Sequence, residues 1–256
     1  MAAAICSPTR ASLLTGRNSH AAGVGAVLNS VQPYRGRAGL LSSESATVAE
    51  VLRQHGYATA AFGKWHLTPD HEASPNGPFD RWPTGVGFEH FYGFLGGETH
   101  QFEPTLFEGT RLVDRPAGDD YHVTEDLADQ AIEWMHLQQS LRPDQPFLIY
   151  LAPGATHAPL HAPKEWIDRF SGRFDHGWDI EREHAFERQK KLGVIPEDAV
   201  LTPRSEELRA WDSLEPEAMR DRAAGRLGRR EVGCAAIALG AAWRVCLGLR
   251  WQCVAW

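Results

Sequence analysis

Cysteine is scarce where it would matter for folding. The chain has four, and Cys6 is the only one in the first 233 residues; Cys234, Cys246 and Cys253 crowd the end. No spaced pairs recur, so a disulfide framework is excluded. Positive charge is also short, with 26 Lys and Arg against 33 Asp and Glu and a net charge of -7. That balance argues against a nucleic-acid partner but not against an anionic small substrate, because a local basic pocket can sit in an acidic protein. No apolar run reaches the roughly 20 residues that span a bilayer, so no membrane partner is expected. The longest candidate, Val232 to Trp243, is broken by Arg244. No leader peptide is visible, since Met1-Ala-Ala-Ala-Ile runs straight into Cys6 and Pro8. Met1 as the true start would mean a cytoplasmic chain; a longer parent with a leader would be periplasmic or secreted.

What is present suits a packed core. Of the 256 residues, 43% are hydrophobic, which fits one large domain or two small ones. Pro8 fits the first turn of a helix through Ala11 to Thr15, and Gly16 should stop it. Asn18 to Ser43 is rich in Gly, Ser and Asn and reads as loop. Thr47 to Gln54 has helical spacing with Gly56 as a terminator. Tyr57 to Phe62 reads as a buried strand. Residues 68–118, dense in Gly, Pro and aromatics, read as a long excursion facing substrate. Val123 to Leu141 is helical, with Thr124 as its cap. Pro146 to Ala152 is the clearest buried strand. Pro163 to Phe170 predicts a short helix, and Ile180 to Lys191 a polar, solvated one.

This alternation predicts an α/β fold with a mixed, largely parallel sheet flanked by helices. Ligands in such sheets gather at the carboxyl ends of the strands. Lys64, His66 and His157 each follow a predicted strand, where a site should be.

The tail differs from all of this. From Ala223 onward there is one acid, Glu231, and no Asp, Lys, Ser, Thr or Pro, while Arg, Ala, Gly, Trp and Cys are enriched. Such a break predicts an anomalous segment over 223–256, out of frame from near Arg220 to Gly228. The competing expectation is an apolar helix from Val232 to Val245.

The sharpest local signal is Cys6-x-Pro8-x-Arg10 followed by Thr15-Gly16, five residues fixed over eleven positions. The run Cys6-Ser7-Pro8-Thr9-Arg10-Ala11-Ser12-Leu13-Leu14-Thr15-Gly16-Arg17 resembles the sulfatase signature. Gly56-Tyr57-Ala58-Thr59-Ala60-Ala61-Phe62-Gly63-Lys64-Trp65-His66-Leu67 resembles that family's second signature. Phe147 to Pro159 is similar to its strand and active-site histidine, His157. The resemblance covers roughly residues 2 to 222 and is nearest to bacterial arylsulfatases. It implies the alkaline-phosphatase-like fold, incomplete here at both ends, and a partial catalytic domain over 1–222.

The resemblance also implies a chemistry. A formylglycine-generating enzyme would oxidise Cys6 to formylglycine (3-oxoalanine). The hydrated aldehyde has two hydroxyls: one attacks the sulfur of a small-molecule sulfate ester, and the other drives release of sulfate. By carry-over Cys6 supplies the nucleophile and one ligand to a calcium ion. Arg10 would hold the nucleophile through charge-assisted bonds. Lys64 and His66, two apart and on one side of an extended segment, would contact sulfate oxygens. His157 would protonate the leaving oxygen or bond the sulfate; an ordinary histidine pKa of about 6.5 suits either. The helix after Pro8 would turn its N-terminus toward the anion.

Each residue has a plainer reading in isolation. A lone cysteine is commonly a small buried hydrophobe. Arg10 and Lys64 alone would be solvated cations, and His66 a loop histidine. His161 competes with His157. Thr99-His100 reads as exposed loop, Trp82 and Trp178 as packing, and the charges from Glu181 to Lys191 as a solvated face. In the family, paired aspartates upstream of the cysteine, and a later Asp-Asn pair and lysine, complete the calcium site. Five residues precede Cys6 and none is acidic. Asp119-Asp120 lies in the wrong place to substitute. The expectation is therefore a middle piece of a sulfatase, impaired or inactive alone. The alternatives are a non-catalytic remnant of such a gene and a phosphoester hydrolase of the same superfamily. The latter uses Ser or Thr and has no need of Cys-x-Pro-x-Arg.

Overall fold

The computed structural model describes residues 4–155 and 157–216. The anomalous segment 223–256, with both expectations made for it, lies outside the described residues. Those described fall into two compact units, 4–159 and 160–216.

The first unit is built on β1 (Ala58–Lys64), a strand buried at every position. A parallel strand covered on both faces reads as a near-continuous apolar run, and Ala58-Thr-Ala-Ala-Phe62 does, interrupted only by Thr59, whose buried hydroxyl donates to the Gly87 carbonyl at 2.8 Å. Its neighbours are β2 (His90–Phe94) and β5 (Phe147–Ala152), both parallel to it. β3 (Leu106–Glu108) and β4 (Arg111–Val113) extend the β2 side antiparallel, giving the order β4-β3-β2-β1-β5. The mixed, largely parallel sheet predicted from sequence is thus present.

Side-chain alternation divides the core. Ala58, Ala60 and Phe62 face α3 (Val123–Leu141), packing with Leu127, Ala131 and Trp134. Ala61 faces the other way, with Ala11 and Leu14 of α1 (Cys6–Thr15) and Ala49 of α2 (Val48–Gln54). Trp65 and Leu67, just past the strand, join that second layer with Trp82 and Phe88. Trp82 is fully buried and packs edge-on to Phe79 and Phe107, as its packing role predicts. No described helix is long and apolar enough to cross a membrane.

Three expectations change. Residues 68–118 are not one excursion: β2, β3 and β4 lie within them. Their shortness and an internal glycine hid them. Gly93 stands opposite Gly63 in the register, and a Cβ there would lie 2.1 Å from the Gly63 carbonyl oxygen. Two backbones this close exclude the β-branched residues that usually mark a strand. The cap of α3 is His122, whose ring accepts from the Thr124 N–H, not Thr124 itself. α1 begins at Cys6, ahead of Pro8. Pro8 has no N–H, so at its own position in the first turn no donor is left over. Both glycine stops hold: Gly16 (φ 66°) and Gly56 (φ 84°) take the left-handed conformation.

The second unit holds α4 (Lys164–Arg169) and α5 (Gly177–Lys191). Trp178 packs edge-on to Trp211, with ring centres 4.9 Å apart, again a packing role. α5 starts three residues before the predicted Ile180. His161 falls in this unit.

Candidate active site

α1 brings Cys6 to the carboxyl end of β1. The lead residue Ile5 caps the helix with extended backbone but offers no side-chain acceptor. The N–H groups of the first turn are therefore left to an outside partner, and the helix end carries partial positive charge. Ser7, one residue on, is fully buried and accepts from the Leu28 N–H at 3.4 Å, which ties the following loop to the helix.

Arg10 follows Cys6 by one turn, on the same face. Its Nη1 donates to the Lys64 carbonyl at 2.6 Å and to the Tyr150 hydroxyl at 2.9 Å. One side chain thus clamps α1 to the ends of β1 and β5. Tyr150 itself is held un-ionised, its pKa raised by burial against the opposing pull of Arg10.

Lys64 is the last residue of β1 and 3% exposed, so it is not a solvated cation. Its Nζ donates to Cys6 Sγ at 3.2 Å. Burial lowers its pKa, and Arg10 adds to that; the bond to Cys6 opposes, and so does Glu98.

His66 is also buried. It does not lie on an extended segment beside Lys64, as the spacing suggested. It takes φ 55°, the only non-glycine residue with positive φ among those described. Trp65 and Leu67 on either side are both buried in the same core layer, and the N–H groups of Trp65 and His66 donate to the Phe94 and Leu95 carbonyls. Left-handed backbone in a non-glycine residue costs about 1–3 kcal/mol and concentrates at functional sites. The ring Nε2 lies 3.3 Å from Asn29 Oδ1. With that oxygen as acceptor, Nε2 carries the proton, and buried Nδ1, which has no hydrogen-bond partner, is left to accept. The His66 pKa falls to about 4, chiefly through burial, then through the charges of Lys64, Arg10 and His157. Its ring is neutral near pH 7.

His157 follows β5. Its Nδ1 contacts its neighbour's carbonyl, Ala158 O, at 2.8 Å, and lies 3.3 Å from Glu98 Oε2. It is the most open member, with its side chain 42% exposed.

The structure therefore brings together four of the five expected residues in one hydrogen-bonded or electrostatic neighbourhood: Cys6, Arg10, Lys64 and His66. His157 joins them through its effect on His66. Four more were missed. Asn29, Gly97, Glu98 and Tyr150 carry no local signature; each is identified only by what it faces. Gly97 is a case of shape: a Cβ there would lie 2.7 Å from His66 Cε1. Thr99 and His100 stay in an exposed loop, where the His100 ring accepts from the backbone N–H groups of Phe102 and Glu103.

Calcium wants six to eight oxygen ligands. The described side chains that reach Cys6 and Lys64 bring nitrogen and cationic charge, and Glu98 is engaged with His157. These residues do not build a calcium cage. The geometry does fit an anion: Lys64 touches the sulfur of Cys6 at a helix N-terminus, and Arg10 and the neutral His66 ring lie close enough to Lys64 to feel its charge.

Comparison with known proteins bears on this arrangement. A family model described as Sulfatase matches residues 1–225. An arylsulfatase of Klebsiella aerogenes is 34% identical over 224 residues, which is 82% of this chain and 45% of that one. An uncharacterized sulfatase of Schizosaccharomyces pombe is 31% identical over 84% of this chain and 41% of its own length. The chain thus spans under half the length of these relatives. Among solved structures, Ps i-CgsB in complex with k-i-k-neocarrahexaose superposes with TM-score 0.52 at 26% identity, over 65% of this chain and 38% of that one. The putative sulfatase yidJ of Bacteroides fragilis gives TM-score 0.55 at 20% identity, over 92% and 48%, a likeness of fold.

Proposed function

The chain belongs to the sulfatase family, and we propose that it carries the nucleophile and the anion-binding side chains of a sulfuric ester hydrolase acting on a small sulfate ester. The observation that carries this reading is the contact of Lys64 Nζ with Cys6 Sγ at 3.2 Å, with Arg10 one turn behind on the same helix. A thiol with no disulfide partner, placed at a helix start against a buried lysine, has the setting of a nucleophile rather than of filler.

In this reading a formylglycine-generating enzyme converts Cys6, and the hydrated aldehyde supplies two hydroxyls, one to attack sulfur and one to release sulfate. The side chains do the rest. Lys64 and the first-turn N–H groups of α1 balance the negative charge on the sulfate oxygens. Arg10 fixes the position of the nucleophile through the helix it clamps. His66, neutral and with Nδ1 unpartnered, accepts a proton or a hydrogen bond from the nucleophile's side. His157, the most open of the set, faces incoming ester and protonates the departing oxygen, with Glu98 holding its ring. Calcium belongs to the reading of the whole protein, and no step here is assigned to it.

The test has two parts. Co-expression with a formylglycine-generating enzyme should convert Cys6 to the aldehyde, read from the mass of its peptide and from hydrazide labelling. No conversion would sink the nucleophile assignment. Turnover of an aryl sulfate with added calcium then measures activity. We expect little turnover from this chain, since its described residues do not build the calcium cage.

A further inference from the structure

We infer that His176, Glu181 and His184 form a binding site for a divalent transition metal, of the zinc class, on the second unit. These three groups are outside the sulfate chemistry and belong to a different compact unit. Among the described residues they are the only cluster of three His, Cys, Asp or Glu side chains whose ligand atoms all lie within 4.8 Å of one another.

The local structure explains why they meet. His176 is the N-cap residue of α5, Glu181 stands in its second turn, and His184 follows three residues later on the same face. His176 Nε2 lies 3.0 Å from Glu181 Oε2. A tetrahedral zinc with bonds of about 2.0–2.1 Å holds its ligand atoms about 3.3 Å apart. This pair is thus already close to the required separation, and exposed His184 brings a ligand atom within 4.8 Å of both. The imidazole centres of His176 and His184 are 5.5 Å apart. Two imidazoles on one tetrahedral ion sit about 5 Å apart, so the rings are near the spacing a shared ion imposes.

The carboxylate is prepared as a ligand. Arg188 Nη2 donates to Glu181 Oε1 at 3.1 Å, which leaves Oε2 as the metal-facing oxygen and fixes its orientation. Burial pushes the Glu181 carboxyl up, but the bonds from His176 and Arg188 outweigh it, and the net shift is downward. Two imidazoles and one carboxylate select Zn(II), Ni(II) or Cu(II) over calcium and magnesium, which prefer oxygen. Three protein ligands leave a fourth position for water or a small anion. His184 also borders an open depression with Glu187, Arg188 and Lys191, so solvent reaches the site. An ion there would link the segment before α5 to the helix's third turn and stabilise that helix start by mass action. A surface ion pair alone would need only His176 and Glu181, and would be worth little; His184 is what the pair does not explain.

The test uses the untagged, metal-free chain with its thiols alkylated, so that cysteines cannot compete. Zinc ion is titrated against a chromophoric chelator, and cobalt ion is used separately for its visible absorption. One equivalent should bind with micromolar affinity at neutral pH. H176A, H184A and E181Q should each weaken binding at least tenfold, and the double variant H176A/H184A should remove that equivalent. Glu181→Gln preserves the side chain's shape, and circular dichroism checks that each variant stays folded. Unchanged stoichiometry and affinity in the double variant would overturn the site. So would the absence of any micromolar equivalent in the alkylated parent.

Discussion

Lys64 Nζ and Cys6 Sγ, 58 residues apart in sequence, meet at 3.2 Å. The lysine is 3% exposed, so the sulfur is a principal partner of a buried cation. Cys6→Ala should therefore do more than remove a thiol. It should lower the Lys64 pKa further, because the bond to Cys6 is the largest influence opposing burial, with Glu98 a smaller one. The expected stability loss is about 1–3 kcal/mol, the cost of leaving a buried polar group unpaired. Side-chain NMR titration of Lys64 and urea unfolding measure the two effects; an unmoved lysine midpoint would contradict the contact.

His66 sets a pH dependence. Its folded pKa of about 4 lies below the unfolded value near 6.5. Between these values the unfolded chain binds more protons, so stability rises with pH. The contribution is fully present above about pH 6.5 and lost as pH falls through 4, amounting to about 3 kcal/mol. Urea unfolding at several pH values should show this slope, and His66→Asn should flatten it by up to one proton.

Gly97 has no room for a side chain. In Gly97→Ala the new methyl would press on the His66 ring, displacing it from Asn29. We expect about 1–3 kcal/mol of destabilisation, typical of overpacking, and a shifted His66 ring resonance. Gly63→Ala should cost more, because its Cβ would meet the Ala152 carbonyl oxygen at 2.3 Å and its φ is 104°. Unfolding free energies rank the two; the reverse order would contradict the strand register.

Arg10 holds α1 by two bonds whose removal separates cleanly. Tyr150→Phe deletes one and should cost about 1 kcal/mol. Arg10→Lys loses the forked geometry and should cost more, about 2 kcal/mol, since a lysine cannot bridge both acceptors. Calorimetric melting of the two variants and their double mutant would show coupling if the clamp is shared.

Glu98 and His157 are half-exposed, so their pairing contributes little to stability. Glu98→Gln should leave unfolding within about 0.5 kcal/mol of the parent. It should nonetheless change the His157 ring nitrogen shifts, because the carboxylate facing Nδ1 is gone. Unchanged shifts would show that Ala158 O alone orients the ring.

The sequence carried the frame of this protein. Largely apolar runs at 57–62 and 146–152 announced two strands; the first, β1, is buried at every position, because both its faces are covered, while the second, β5, is an edge strand and only half-buried. Gly16 and Gly56 announced helix ends, because left-handed backbone is easiest for glycine. The local motifs singled out Cys6, Arg10, Lys64 and His66, which the fold brings into one neighbourhood. Packing decided the rest. β2 escaped notice because Gly93 is there to let a neighbouring backbone approach, a need visible only with Gly63 opposite. His66 takes left-handed backbone, which no local residue pattern announces. Asn29, Glu98 and Tyr150 act from loops and strands distant in sequence, and no short spacing encodes such meetings. The sequence by itself determined which residues could do chemistry; the tertiary structure decided which of them touch, because burial and long-range closure, not local pattern, bring a lysine to a thiol.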